Sequence, residues 1–176
     1  MFTTVNNKKN DDKYKMITIW NGLNKIAKKV LIAGTFDLVH PGHIYLINEA
    51  AKLGDVYVII ATDKNRKLYS GISPIIPQDQ RLEVVKNIKN VKEARLGRSD
   101  NDTLKTVEEI NPDIILLGPD QKYSINILKK GLNEKGLNHI EVRRLETYYD
   151  KYELNSSSLI KQKIIEKYTE NKSKSC

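Results

Sequence analysis

Five short runs dense in aliphatic residues recur along this chain, and stretches of helical periodicity separate them. Few architectures accommodate that rhythm. The runs are Lys29–Ala33, Val56–Thr62, Val91–Leu96, Asp113–Leu117 and His139–Arg144. Between them Pro41–Leu53, Gln78–Ile88, Asp102–Ile110 and Ser124–Lys135 read as helices, and a last helix is expected from about Ser156 to Tyr168. The clearest case is Pro41–Leu53, where proline suits a first helical turn and Ile44, Ile47, Ala50 and Ala51 share a face. Gly54 ends it. The segment from Val56 to Ala61 is apolar throughout, as expected of a strand buried on both faces and placed at or near the centre of a sheet. Strands alternating with helices pair in parallel through right-handed crossovers. The expected fold is therefore α/β, a doubly wound five-stranded parallel sheet in three α/β/α layers. The segment from Gly71 to Pro77, rich in glycine and proline, is expected to be a loop.

A length of 176 residues suits one such domain with short appendages. The reading divides it into an N-terminal extension over 1–27, a domain over 28–168 and a basic tail over 169–176. Within the extension, residues 1–12 have a disordered composition. Ile19, Trp20, Leu23, Ile26 and Ala27 share one face of an extra helix over 16–28. The formal charge of +8 is uneven: residues 1–29 carry +5, residues 161–176 carry +3, and the segment between them is neutral. Basic ends of this kind are usually solvated, and nucleic acid is not the expected partner. The alternative from that class is a non-catalytic nucleotide-binding or RNA-binding module. No apolar run is long enough to cross a membrane, none near Met1 resembles a signal peptide, and the single cysteine, Cys176, allows no internal disulfide. The expected compartment is the cytoplasm.

A Rossmann-like sheet binds ligands beyond the carboxyl ends of its strands, where the strand order reverses. The turn after the first strand reads Gly34-Thr35-Phe36-Asp37-Leu38-Val39-His40-Pro41-Gly42-His43. It has no G-x-G-x-x-G pattern, and no P-loop occurs elsewhere. Instead it sets two imidazoles, His40 and His43, three residues apart at a helix start. Free N–H groups and the positive end of the helix dipole favour anions there. Gly34 and Gly42 allow close approach to the backbone. The pair makes an anion site with two titratable donors. Metal ligation by it lacks a third ligand, and Asp37 suits ordering of the turn better than metal binding.

This segment matches the signature G-x-F-D-x-x-H-x-G-H, by which the chain resembles the nucleotidyltransferase superfamily over roughly residues 28–168. Those enzymes join a nucleoside monophosphate to a phosphate group and release pyrophosphate. The resemblance continues in Ile75-Ile76-Pro77-Gln78-Asp79-Gln80-Arg81, in Leu117-Gly118-Pro119-Asp120-Gln121 and in Asn155-Ser156-Ser157-Ser158. Glycerol-3-phosphate cytidylyltransferases typically carry Arg-Thr-Glu-Gly-Ile-Ser before the last helix. Here Tyr152-Glu153-Leu154-Asn155-Ser156 stands in its place. The motifs together look most like the stand-alone archaeal FAD synthetases, which are FMN adenylyltransferases, with a CTP-dependent cytidylyltransferase as the alternative.

That resemblance implies roles. His40, His43 and Arg81 would be catalytic, contacting the phosphate chain of ATP. Thr35, Phe36, Pro41, Gly42, Gly118, Asp120 and Ser157 would complete the nucleotide site, and Lys67 and Tyr123 would face the second substrate, FMN. Lys64 and Arg66 are further candidates for its phosphate, and Tyr148 and Tyr149 for its ring. A divalent ion, Mg²⁺, is implied as a companion of the triphosphate, without a dedicated carboxylate cluster. A homodimer is a further expectation, with the Trp20 helix as a candidate interface.

Overall fold

The computed structural model describes residues 27–100, 102 and 104–173. Nearly all of the expected N-terminal extension, including the Trp20 helix, lies outside the described residues. The strands are β1 (Lys29–Gly34), β2 (Asp55–Ile60), β3 (Val91–Leu96), β4 (Ile114–Leu117) and β5 (Glu141–Arg144). The helices are α1 (Pro41–Ala51), α2 (Asp63–Ser70), α3 (Gln78–Lys86), α4 (Lys105–Ile110), α5 (Ile125–Glu134) and α6 (Ser157–Ser173).

All pairings are parallel, in the order β3-β2-β1-β4-β5. The chain lays β2 and β3 on one side of β1 and then returns to place β4 and β5 on the other. The reversal falls between β1 and β4, so the loops leaving those two strands flank the crevice where this fold binds ligands. Alternate strand residues feed two cores. Val30, Ile32, Val58, Ile60, Ile114 and Leu116 pack with Ile47 of α1 and Val85 of α3. Leu31, Ile115, Leu117 and Val142 pack with Val107 and Ile110 of α4 and with Leu128 and Leu132 of α5. Helices therefore cover both faces, giving the three expected layers.

β2 lies beside the central β1, near the centre as expected, and alternates between buried and half-buried residues. The structure differs from the expectation in three places. A helix, α2, occupies Asp63–Ser70, which was not expected. Thr62 caps it by accepting from Asn65 N, and Gly71 closes it with φ +73°, a left-handed value that glycine adopts without strain. None of its residues is buried, so the segment carries no apolar stripe to mark it. The last helix runs to Ser173 instead of stopping near Tyr168, so the proposed tail boundary falls inside a helix. Finally, α4 begins at Lys105 rather than Asp102.

Candidate active site

The turn from β1 into α1 is tightly bent. Phe36 and Leu38 both lie in the left-handed region, at φ 54° and 48°. Such conformations cost about 1–3 kcal/mol each in a non-glycine residue and persist only where the surroundings impose them. Asp37, 4% exposed between them, supplies much of that constraint. Its carboxylate accepts from Ile75 N at 3.2 Å, Ile76 N at 3.0 Å and Lys161 Nζ at 2.8 Å. Its carbonyl accepts from Ser157 Oγ. Burial works to raise the Asp37 pKa, but the bonds from Lys161, Ile76 and Ile75 together outweigh it and hold the carboxyl below its ordinary value. One acidic side chain thus joins the turn, the loop before α3 and the first turns of α6.

Arg81 braces the same turn from below. It is 1% exposed, and its guanidinium donates to the carbonyls of Ile76 (2.9 Å), Ala61 (2.8 Å) and Thr35 and to Asp63 Oδ1 (2.6 Å). Asp63 and Gln78 exchange bonds between side chain and backbone, tying the starts of α2 and α3 together. The expected phosphate fork is therefore not what this geometry offers. The donors point inward, and the ion pair is with Asp63 rather than with nearby Asp79. Arg81 thereby fixes the Thr35 carbonyl and hence the turn above it.

His40 is the N-cap of α1 and makes no side-chain capping bond. Pro41 has no N–H, and the His43 N–H already bonds the His40 carbonyl at 2.9 Å. The Gly42 N–H makes no backbone bond among the described residues and remains available to an anion. The two imidazoles stack, with centroids 3.8 Å apart and planes at 27°. The Phe36 ring backs His43 at 4.9 Å. Both Nδ1 atoms are buried without a partner. An orphaned N–H is rarer than an unmet acceptor, which favours the tautomer carrying hydrogen on Nε2. Burial, and then the charge His40 would bring, push the His43 pKa down to about 3, against a smaller upward pull from Asp37. Burial also lowers that of His40, opposed by Asp120. Both rings are thus neutral donors at neutral pH in the free protein.

Across the crevice, the loop after β4 is held by Gln121. Its Oε1 accepts from Gly118 N at 3.0 Å and its Nε2 donates to the Ala33 carbonyl of β1 at 2.6 Å. Arg144, at the end of β5, donates to the carbonyls of Gly118, Gln121 and Tyr123. Asp120 is exposed at the tip of this loop.

The start of α6 closes the crevice from a third side. Ser156 caps the helix, accepting from Leu159 N at 3.3 Å. Just before it, the Asn155 carbonyl lies so near Gly42 that a Cβ there would stand 2.6 Å from it. Position 42 must therefore be glycine for α6 to seat over α1. Beside His40 opens a cleft of about 450 Å³, lined by Pro41, Ile44, Tyr45 and Asn48 of α1 and by Tyr149 and Tyr152. Tyr45 and Tyr149 stack at 5.1 Å, and Tyr45 Oη shares a hydrogen bond with Thr147 Oγ1 at 2.8 Å.

Of the expected site residues, the turn carrying Thr35, Phe36, His40, Pro41, Gly42 and His43 converges with Ser157, and the loop carrying Gly118 and Asp120 flanks the same crevice. Lys67 stands exposed in the last turn of α2, and Tyr123 is 52% exposed. The Tyr123 carbonyl is held by Arg144 together with those of Gly118 and Gln121. Of the tyrosines considered, Tyr149 lines the cleft and Tyr148 is exposed. Lys161, Arg144 and Tyr45 are site-building residues that the sequence did not single out, whereas Gln121 and Asn155 stand in the quoted motifs without an assigned role. Lys161 had a readable signal, since it follows Ser157 by four positions and so lies on the same helical face. Among the described residues, no three His, Cys, Asp or Glu side chains group as metal ligands, and no helix is long and apolar enough to cross a membrane.

Comparison with known proteins agrees with this geometry. Residues 31–163 match the cytidylyltransferase-like family, and the chain belongs to that family. The protein is accordingly a nucleotidyltransferase. Among its relatives, the FAD synthase of Methanobrevibacter smithii is 49% identical over 144 residues, covering 78% of this chain and 90% of that protein. The FAD synthase of Thermoplasma acidophilum is 41% identical over 140 residues, covering 78% and 94%. A solved structure described as the lipopolysaccharide core biosynthesis protein of Thermoplasma volcanium has a TM-score of 0.66 and 37% identity, covering 70% of this chain and 99% of that one.

Proposed function

We propose that the protein is an FMN adenylyltransferase, an FAD synthase. A phosphate oxygen of FMN attacks the α-phosphorus of ATP in line. The bond from that phosphorus to the bridging oxygen breaks, and FAD and pyrophosphate result. The nucleophile is already an anion, so the protein need supply no general base and no covalent intermediate. What remains is positioning and stabilisation of charge on the departing pyrophosphate.

The observation that carries this reading is the stacked, neutral imidazole pair at the α1 N-terminus, in a chain whose relatives are named FAD synthase. His40 and His43 donate to the phosphate chain, beside the Gly42 N–H and the positive end of the helix. Burial strengthens such bonds in the transition state because little water competes for them. The adenosine end lies toward Gly118 and Asp120, and Thr35 and Phe36 carry the backbone on which the phosphates rest. Ser157 and Arg81 hold that backbone in place. Mg²⁺ accompanies ATP and offsets its charge. The cytoplasm, where both substrates occur, is the compartment this reading requires.

The experiment is turnover by purified protein with ATP, FMN and Mg²⁺, following FAD and pyrophosphate. Both should form in equal amounts. Turnover of CTP with glycerol phosphate, and none of ATP with FMN, overturns the assignment in favour of a cytidylyltransferase.

A further inference from the structure

We propose that the tyrosine-walled cleft beside His40 receives the isoalloxazine ring of FMN. This assignment rests on the FMN adenylyltransferase reading and adds to it where the acceptor lies. At about 450 Å³ the cleft is within the range of small-molecule sites, and its walls have the usual apolar and aromatic character. Tyr149 stacks on Tyr45 and leans against Tyr152 at 5.9 Å and 55°, so three phenol rings stand along one side. Tyr152 is 50% exposed, and a flat ligand seated on this wall would cover it.

The shape and the polar groups narrow the class of ligand. His40 lines both this cleft and the proposed phosphate site, so the fitting molecule carries a planar apolar ring system tethered to a phosphate. Asn48 stands at the cleft with its Oδ1 accepting from Asn90 Nδ2 at 3.1 Å, which leaves its amide N–H groups to donate to a ring carbonyl. A flavin has that combination: a tricycle with carbonyls on one edge and a ribityl chain leading to phosphate. The adenine of ATP is the other planar ring in the reaction. Its place is the β1–β4 crevice, where Gln121 and Arg144 hold the loop bearing Gly118 and Asp120.

Flavin fluorescence tests the assignment, because tyrosine stacked on the ring quenches it. Titrating the full-length protein into FMN should give saturable quenching. Tyr149→Leu should weaken FMN binding about tenfold, the usual effect of losing one stacking aromatic, and should relieve the quenching. Its melting temperature and calorimetric ATP affinity should stay near those of the unaltered protein. Tyr149→Phe should restore FMN affinity. Should Tyr149→Leu fail to fold, Tyr152→Leu at the exposed rim provides the same readout. Unaltered FMN affinity and quenching in a folded leucine variant overturns the assignment, as does a loss of ATP affinity with FMN affinity retained. Failure of the underlying reading is seen separately, as absence of FAD formation by the unaltered protein.

Discussion

His43 illustrates how a single side chain links stability to catalysis. In the unfolded chain it takes up a proton near its ordinary value of 6.5, whereas in the folded protein it resists protonation down to about 3. Between those values the unfolded state binds more protons, so stability is full above pH 6.5 and is lost progressively as pH falls toward 3. Asp37, whose pKa is also lowered, acts in the same direction at more acidic pH. The melting temperature should therefore decline from about pH 6.5 downward, and His43→Gln should flatten that decline. Removing the donor altogether has a separate consequence. His43→Ala should lower kcat by about 10²–10³, the usual effect of deleting one preorganised donor, in a protein that still folds. Unchanged turnover would remove His43 from the mechanism. This pair was legible in the sequence because its chemistry depends on residue type and spacing within ten positions. The inward bonding of Arg81 was not, because its partners Thr35, Ala61 and Asp63 are brought to it by the sheet.

Elements meet at this site through a few buried bonds, and each can be cut. Arg81→Lys keeps the charge but cannot reach three carbonyls and a carboxylate at once. It should destabilise the protein by about 2–4 kcal/mol in denaturant titrations, as expected when buried polar groups lose their partner. Lys161→Met removes the cation that joins α6 to Asp37. It should raise the KM for ATP with only a small change in melting temperature, because Ile75 and Ile76 still satisfy the carboxylate. At the same junction, Gly42→Ala should displace the start of α6 and depress activity while leaving the sheet intact, which circular dichroism would register as unchanged helix and strand content. Most elements could be read from apolar periodicity and proline or glycine punctuation. Helix α2 could not, since a helix that buries none of its residues leaves no stripe to detect, and its local signs are only the caps at Thr62 and Gly71.

At the scale of the whole molecule, the strand order β3-β2-β1-β4-β5 creates the crevice, and charge does not. The formal +8 resides at the two ends, and the segment between residues 30 and 160 is neutral. A polyanion-binding protein with six or more phosphate contacts loses about 10³-fold or more in affinity between 50 and 200 mM salt. Here the KM for ATP should change only a few-fold over that interval, and a steep dependence would point to RNA instead. The sequence showed how many strands there are but not which is central. Apolar content put β2 at or near the centre, and the return of the chain across β1 makes β1 the middle strand with β2 beside it.

The bond between Ser157 and Asp37 spans 120 positions, and the Lys161 bridge spans more. Every strand, both cores and both imidazoles precede those contacts in the chain. On the ribosome, where the N-terminal part emerges first, β1 to β4 can leave the exit tunnel ahead of α6. The nascent domain then already holds its histidines, but the wall over α1 and the cation on Asp37 are still inside the exit tunnel. Competence to bind nucleotide should therefore await synthesis of α6, and a chain cut before residue 157 should lack it.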